Sequence, residues 1–329
     1  MPTVAPLDLD GHVVAAAFLG DVPFFATASG AIHRLDQGEK VTEAHDGLLA
    51  CVRDEANDTL ITGGEDGKVL RIAADGSATL LAEVPRKWIS VVAAGPQAAV
   101  GFAEGRTARV RLADGTIREF TEGRSVEGIA FAPKGLRIGA ARYNGASLHW
   151  VAMAAPPVDL EWKGAHTGIT FSPDGRFVVT SMQENALHGW KLDAKPGAET
   201  RHMRMTGYPA KVKSLSWSAK GKWLASSGAP AAIVWPFSAK DGPMGKPPLE
   251  LGTRADVMVT SVACHPGEDV VAIGYSDGMV LAARFADSRE VLLRRPGKGA
   301  VTSMAWSRNG KLLAFASDAG DCGVIDLAG

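Results

Sequence analysis

Histidine and cysteine side chains are the groups in this chain that could ligate a metal or move protons. The eight histidines are His12, His33, His45, His149, His166, His188, His202 and His265. None forms the i, i+4 helical pair or the close histidine–cysteine cluster that a zinc site requires. Cys51, Cys264 and Cys322 have no C-x-x-C spacing and lie in apolar runs, which favours free, buried thiols. We therefore predict no metal and no cofactor.

A glycine-rich run at residues 63–67, GGEDG, is the only stretch of the sequence that suggests a phosphate-binding loop. A phosphate cradle opens onto a helix N-terminus, whereas both flanks of this run read as strands. A tight turn between strands explains it better. No nucleophile elbow occurs, and no Ser–His–Asp constellation follows from spacing alone. We predict no catalytic residue and a protein that is not an enzyme.

The elements that would position any site recur with a period of about forty residues, which is typical of a four-stranded propeller blade. The marker is the last apolar residue of the first strand in each unit, and successive markers lie 34 to 47 residues apart. The markers are Phe18, Val52, Val92, Phe131, Phe171, Trp217, Cys264 and Trp306. They predict an all-β chain, an eight-bladed β-propeller of four-stranded antiparallel blades, with residues 1–329 forming a single domain.

The last unit lacks a fourth strand, because the sequence stops after its third. Val4–Leu9 precedes the first unit and has no partner of its own. We expect this N-terminal segment to pair with the last unit and close the ring, since each blade buries its faces only against its neighbours.

Charge and hydropathy disfavour nucleic acid and membranes as partners. Lys and Arg number 35 against 36 Asp and Glu, and the one short basic run, at Arg294, Arg295 and Lys298, is typical of a solvated face. The first apolar run, Val13–Leu19, is too short to span a bilayer and follows Asp8 and Asp10 rather than basic residues. We expect a cytoplasmic protein.

The repeats resemble the WD40-repeat family of β-propellers over essentially the whole chain. Gly11-His12, Ala44-His45 and Ala165-His166 precede first strands, and Ser172-Pro173-Asp174-Gly175 follows one. Other matching elements are Asp66-Gly67, Asp277-Gly278, Trp150, Trp190 and Trp235. No third strand ends in Trp-Asp, and the family's hydrogen-bond network is nearly assembled only in the second unit, as His45, Thr62 and Asp66 with Ile72 in the tryptophan position.

The resemblance implies a non-enzymatic, bacterial interaction scaffold that binds a protein or peptide, with a monomer favoured. In the family's geometry, one loop face would carry Arg86, Lys87, Trp88, Arg142, Tyr143, Asn144, Tyr208, Arg254 and Tyr275. Tyr, Trp and Arg dominate interface hot spots. The alternative for each aromatic residue is core packing at a blade seam.

Two broader alternatives remain open from the sequence. A seven-bladed ring with one degenerate unit would fit the commonest blade number in the family. A small-ligand- or metal-binding or hydrolytic propeller would use the axial channel, but the inner strands carry Val, Ala, Ser and Leu there.

Overall fold

The computed structural model describes residues 3–36, 38–192 and 201–328, and nearly every regular element in them is a β-strand. Met1–Glu43 with Tyr208–Gly329 form one compact unit, and Ala44–Gly207 form a second. Among these described residues the only helix is a three-residue 3-10 turn, Pro96–Ala98, so none is long enough to cross a membrane. The prediction of an all-β chain is confirmed.

Short strands follow one another along both units. The first unit begins with β1 (Thr3–Asp8), β2 (Val13–Leu19), β3 (Val22–Thr27), β4 (Ala31–Leu35) and β5 (Glu39–Glu43). The second unit contains β6 (Leu48–Asp54), β7 (Thr59–Gly64), β8 (Lys68–Ile72), β9 (Ala78–Glu83), β10 (Val91–Ala94), β11 (Val100–Glu104), β12 (Thr107–Arg111), β13 (Ile117–Thr121), β14 (Val126–Phe131), β15 (Arg137–Trp150), β16 (Val158–Phe171), β17 (Phe177–Met182), β18 (Leu187–Lys191) and β19 (Arg201–Met205). The first unit resumes with β20 (Leu215–Trp217), β21 (Trp223–Ser226), β22 (Ala232–Pro236), β23 (Leu249–Leu251), β24 (Val259–Cys264), β25 (Val270–Tyr275), β26 (Val280–Arg284), β27 (Glu290–Arg294), β28 (Val301–Trp306), β29 (Leu312–Ser317) and β30 (Asp321–Asp326).

Each sheet lies within one unit, and all the described strand pairs are antiparallel. The first unit holds four four-stranded sheets, ordered β2-β3-β4-β5, β20-β21-β22-β23, β24-β25-β26-β27 and β1-β30-β29-β28. The second unit holds two four-stranded sheets, β6-β7-β8-β9 and β10-β11-β12-β13, and one six-stranded sheet, β14-β15-β16-β17-β18-β19.

The prediction of eight blades is wrong, because the described strands form seven sheets. The fourth and fifth predicted repeats, marked by Phe131 and Phe171, share the six-stranded sheet, in which β15 and β16 are each 14 residues long. The first half of β16 pairs with β15 and its second half pairs with β17, so these two repeats belong to one continuous sheet. Seven is the blade number of the alternative prediction.

Packing between neighbouring sheets of one unit explains why the inner strands are almost continuously apolar. Every residue of β7, β11 and β17 is buried, which requires cover on both faces. In the second unit, Ile61 of one sheet and Phe102 of the next belong to one buried apolar cluster. In the first unit, Val280 and Phe315, from neighbouring sheets, likewise share one buried apolar cluster. The core therefore consists of apolar layers between sheets.

A recurrent serine stabilises the turn between the first and second strands of several sheets. The Ser172 hydroxyl accepts a hydrogen bond from the Phe177 N–H at 2.9 Å, and Gly175 adopts a φ of 76° that favours glycine. Ser218 and Ser307 accept the equivalent backbone hydrogen bonds at 3.1 and 3.0 Å. The Ser-x-x-Gly pattern is thus a local turn signal.

The N-terminal strand β1 pairs with β30 over its whole length, from Thr3 opposite Asp326 to Asp8 opposite Asp321. Val4 and Leu7 pack at the margins of the neighbouring apolar clusters. The predicted closure of a ring by this segment is not supported, because β1 only adds the fourth strand to a sheet of its own unit.

Deletion of residues 1–8 should lower the free energy of unfolding by roughly 2 kcal/mol or more, because Val4 and Leu7 lose their packing. The exposed edge of β30 should also promote aggregation. Chemical denaturation measures the first effect and light scattering the second. Asp8→Asn, which removes only the exposed ion pair between Asp8 and Lys298 (3.0 Å), is the control and should change little. An unchanged unfolding curve for the deletion would contradict the pairing.

Candidate functional site

A wide bulge interrupts the pairing of β15 with β16. Gly145 lies opposite Glu161 and Tyr143 lies opposite Ala165, so the single residue Asn144 faces three residues on β16. Extra residues in one strand bend it and re-aim its side chains. Beyond this point β16 pairs with β17 instead. We call Asn144 together with residues 162–164 the β16 bulge.

Two side chains satisfy the backbone groups that the β16 bulge removes from the ladder. The side-chain oxygen of Asn144 accepts a hydrogen bond from the Gly164 N–H at 3.2 Å. The Nε2–H of His166 donates to the Trp162 carbonyl oxygen at 3.0 Å. Asn144 tolerates the left-handed φ of 66° that this geometry needs. Since unpaired backbone groups are costly to bury, these contacts fix the shape of the bulge.

An open cavity of about 610 Å³ lies at the bulge, and we call it the bulge pocket. Its lining residues are Arg124, Arg142, Tyr143, Asn144, Glu161, Trp162 and Lys163. Tyr143 is 45% exposed and Trp162 is 37% exposed, so both aromatic rings are accessible. The Arg124 guanidinium lies 5.9 Å from the centroid of the Tyr143 ring, within cation–π range.

Trp162 is held by a stack of two imidazoles. Its ring lies 4.1 Å from that of His202 at an interplanar angle of 12°, and 4.6 Å from that of His188. His188 Nδ1 and His202 Nε2 are 2.7 Å apart, so one nitrogen must donate and the other accept. Burial, together with the neighbouring His202, lowers the pKa of His188 to about 3. Burial also lowers the pKa of His202. The stack is therefore neutral near neutral pH.

Arg142 lines the bulge pocket, but its guanidinium is committed to internal partners. It lies 3.2 Å from the buried carboxylate of Glu122 and 2.6 Å from that of Asp159, and its Nε–H donates to the Ser147 hydroxyl at 2.8 Å. Burial raises the pKa of Glu122, but hydrogen bonds from His149 and Ser147 outweigh it and hold that pKa below its usual value. Arg142 therefore has a structural role, and its prediction as a rim charge at an interface stays a prediction.

Three other residues predicted at the binding face, Arg86, Lys87 and Trp88, lie apart from the bulge pocket. Arg86, Lys87 and Trp88 occupy the loop between β9 and β10 and do not line the bulge pocket. Trp88 is 63% exposed, and Lys87 Nζ lies 3.8 Å from a carboxylate oxygen of the buried Glu104. Arg86 adopts a left-handed φ of 63°. Trp88 is thus an accessible aromatic residue in its own right.

Two of the three tyrosines predicted to bind a partner are buried instead, and both belong to the first unit. The Tyr208 hydroxyl lies 2.7 Å from the Ser226 hydroxyl and accepts a hydrogen bond from the Trp235 indole at 2.7 Å. Burial raises the pKa of Tyr208 to about 12. The Tyr275 hydroxyl donates to a backbone carbonyl. Both tyrosines therefore serve core packing, which corrects their assignment to a binding surface.

Arg254, the remaining predicted residue of the first unit, forms an exposed ion pair. Its guanidinium lies 2.8 Å from the Glu290 carboxylate, and hydrogen bonding to Glu290 raises its pKa. Exposed pairs of this kind contribute little to stability. Arg254 already has a counter-charge, so it offers less to a partner than an unpaired arginine would.

The hydrogen-bond network predicted in the second repeat, His45 with Thr62 and Asp66, lies next to β6 and β7. The Nδ1–H of His45 donates to Asp66 at 3.0 Å, and the Thr62 hydroxyl donates to His45 Nε2 at 2.8 Å. Burial raises the pKa of Asp66, but the hydrogen bonds from His45 and from the Lys68 backbone outweigh it and lower that pKa. The network ties the turn before β6 to β7 and the turn that follows it.

A second histidine–threonine pair, at the β16 bulge, escaped the sequence analysis. The Thr180 hydroxyl donates to His166 Nδ1 at 2.7 Å, while the Trp162 carbonyl takes the place of an aspartate. Burial lowers the pKa of His166 although the Trp162 carbonyl raises it. The Ala165-His166 motif was visible, but its carbonyl partner carries no sequence signature.

Four lining residues of the bulge pocket were also missed, namely Arg124, Glu161, Trp162 and Lys163. The sequence did hold one sign of Trp162. It is an aromatic residue three positions before the Ala165-His166 motif, and the motif itself does not require it. Arg124 approaches from a different strand connection, before β14. Only the three-dimensional pairing brings it to Tyr143.

The arrangement of potential metal ligands and the state of the thiols complete the description of the described residues. Within residues 3–36, 38–192 and 201–328, no three His, Cys, Asp or Glu side chains form a group that could hold a metal ion. Burial raises the pKa values of Cys51, Cys264 and Cys322 to about 12, so these thiols are protonated at neutral pH.

The class of protein follows from this architecture: four-stranded antiparallel sheets packed face to face are those of a β-propeller. The family profile described as WD domain, G-beta repeat matches residues 200–233, and the profile of the anaphase-promoting complex subunit 4 WD40 domain matches residues 254–328. Among curated proteins, none matches the chain. The profiles place WD40 repeats in the C-terminal part of the sequence.

Solved structures extend the likeness to the whole chain at the level of the fold. The C-terminal WD40 domain of Sif2 is 12% identical, with a TM-score of 0.76 and coverage of 100% of this chain and 99% of that one. The Dos1 propeller is 17% identical, with a TM-score of 0.76 and coverage of 99% and 94%. A chain of the mitotic checkpoint complex is 16% identical, with a TM-score of 0.65 and coverage of 83% and 88%. The chain therefore shares the β-propeller fold of these structures over nearly its whole length, and two stretches of its sequence, residues 200–233 and 254–328, match WD40 profiles.

Acidification should destabilise the protein through the histidine stack. The folded-state pKa of His188, about 3, lies below the unfolded value of about 6.5, so the folded state binds fewer protons. Its contribution to stability is full above pH about 6.5 and falls as the pH drops toward 3, by at most about 1.4 kcal/mol per pH unit. Melting temperatures between about pH 7 and pH 5 measure this loss. His202→Gln should show a shallower pH dependence, and an identical slope would contradict the role of the stack.

Arg142→Ala should lower the free energy of unfolding by about 1–3 kcal/mol, because it removes a charged partner from the buried Glu122 carboxylate. Arg124→Ala, at an exposed position of the same pocket, is the matched control and should change stability by less than about 0.5 kcal/mol. Urea denaturation monitored by circular dichroism measures both. Equal effects of the two substitutions would contradict the structural role of Arg142.

Proposed function

We propose that the chain is a non-enzymatic interaction scaffold that binds a protein or peptide partner at the bulge pocket. The observation that carries the proposal is the pair of exposed aromatic rings, Tyr143 and Trp162, beside an open cavity of about 610 Å³. Exposed Tyr and Trp side chains bury a large area on binding and lose little rotamer entropy. An isolated exposed aromatic residue needs no explanation, but two at one concave site do.

Preorganisation supports the same conclusion. Trp162 is stacked on His202 and His188, and the backbone beneath it is fixed by Asn144 and His166. Because the indole is already fixed, little conformational entropy of the site is lost when a partner binds to it. Ordering costs of this kind influence affinity more than the buried area does. The seven lining residues include no Ser, Thr or Cys nucleophile and no His that could act as its base, so the pocket fits recognition better than catalysis.

Trp88 defines a second, separate patch in the loop between β9 and β10. We keep it as a candidate contact, with Arg86 and Lys87 beside it, because its indole is more exposed than that of Trp162. The cytoplasmic location, the monomeric state and the bacterial origin stay predictions from the sequence.

Tyr143→Ala should weaken binding of a native partner by at least about 30-fold, the cost of losing a hot-spot aromatic of about 2 kcal/mol. The measurement is quantitative affinity purification from the native cell, with partners identified by mass spectrometry. Leu80→Ala, which truncates another exposed apolar residue of the same unit, is the control and should leave recovery unchanged.

Trp88→Ala, tested alone, separates the two patches. Recovery that depends on Trp88 but not on Tyr143 would move the binding site to the β9–β10 loop. Equal recovery with wild type and with Tyr143→Ala would refute the bulge pocket as the site.

A further inference from the structure

We infer that the bulge pocket takes an acidic peptide, a segment in which Asp or Glu carboxylates flank an aromatic or aliphatic side chain. The inference rests on the proposed function and names the chemistry of its partner. Carboxylates would meet the cations at the rim of the pocket, and the apolar side chain would pack on Tyr143 and Trp162.

The charges of the lining favour an anion. Arg142 is neutralised by Glu122 and Asp159. Arg124 and Lys163 are exposed at the pocket, and in the described part of the chain neither forms an ion pair with a carboxylate. Glu161 is the one carboxylate of the lining. Beyond the compensated arginine, the pocket therefore carries two positive charges against one negative charge.

The cations and the aromatic rings are arranged to be used together. The Arg124 guanidinium lies over the Tyr143 ring, 5.9 Å from its centroid, and Lys163 follows Trp162 directly in the bulge. A guanidinium on an aromatic face keeps its N–H donors free at its edge, where a carboxylate accepts two parallel hydrogen bonds. An apolar side chain can then cover the rings while its neighbouring carboxylates reach the cations.

Other ligand chemistries fit less well. A cationic ligand over the two rings would face repulsion from Arg124 and Lys163. A nucleic acid strand could stack on aromatic side chains, but it brings a continuous row of phosphates that relies on a basic groove. In this pocket Glu161 interrupts the positive lining, and the whole chain has a net charge of -1. Separate carboxylates on a peptide can avoid Glu161, so the acidic peptide is the occupant that we infer.

The test is fluorescence anisotropy with short fluorescein-labelled peptides in which a central Phe or Leu is flanked by Asp and Glu. Matched peptides replace the acidic residues with Asn and Gln, or with Lys and Arg. Titrations run to about 1 mM, the weak end of specific binding, at about 50 mM and about 300 mM NaCl. Oligothymidylate is titrated in parallel. We expect saturable binding of the acidic peptide only, weakened several-fold by the added salt.

The decisive variants are Arg124→Gln/Lys163→Gln and its charge-reversed counterpart, Arg124→Glu/Lys163→Glu. The first should weaken the acidic peptide by at least about tenfold, and the second should prefer the Lys/Arg peptide. The control, Arg118→Gln/Lys134→Gln, removes the same charge from exposed positions of the same unit and should change affinity less than about twofold. Circular dichroism melting curves show whether each variant is folded.

The outcomes separate this inference from the proposed function. No saturable binding of the acidic peptide, equal binding of the Asn/Gln peptide, or loss in the control variant as large as in Arg124→Gln/Lys163→Gln overturns the acidic-peptide inference. Saturable binding of oligothymidylate in its place overturns it in favour of a nucleic acid. In each case the proposed function still stands if recovery of the native partner depends on Tyr143, and falls with the inference if it does not.

Discussion

The need to satisfy every buried backbone group determines the shape of the site. Where β16 leaves β15 and joins β17, three residues face one, and the ladder cannot pair them all. The Gly164 N–H finds the side chain of Asn144, and the Trp162 carbonyl finds His166. Without these partners the bulge would be costly to bury, and the two halves of the six-stranded sheet would have no defined junction.

The chemistry of the pocket follows from that junction. The bulge directs Trp162 onto the imidazoles of His188 and His202, on strands β18 and β19, while Lys163 remains exposed. On the opposing strand, Arg142 is held by Glu122 and Asp159, which leaves Tyr143 beside the cavity. A rigid aromatic surface next to uncompensated cations is thus a consequence of strand pairing, and no flexible loop is needed to make it.

Local signals were readable from the sequence, and contacts between distant residues were not. The Ser172 turn is local, and the network of His45, Thr62 and Asp66 was readable because it repeats a motif of the family that the sequence resembles, although its residues are 17 and 21 positions apart. Asn144-Gly145 has the composition of a tight hairpin turn. Both residues do adopt positive φ, at 66° and 128°, and the Val151 N–H donates to the Leu136 carbonyl oxygen at 2.9 Å, so the chain reverses there. The predicted blade count was wrong because the two predicted repeats on either side of β16 share one six-stranded sheet. The burial of Tyr208 depends on Ser226 and Trp235, 18 and 27 residues away, which no local pattern reveals.

Residue-resolved hydrogen exchange of the Gly164 amide tests the central claim most directly. If Asn144 accepts its hydrogen bond, this amide should exchange as slowly as the flanking ladder amides of β16, and Asn144→Ala should accelerate it while leaving β17 protected. Exchange of the Gly164 amide in the wild type as fast as in the loop at residues 152–157 would contradict the account, since the bulge would then not be fixed.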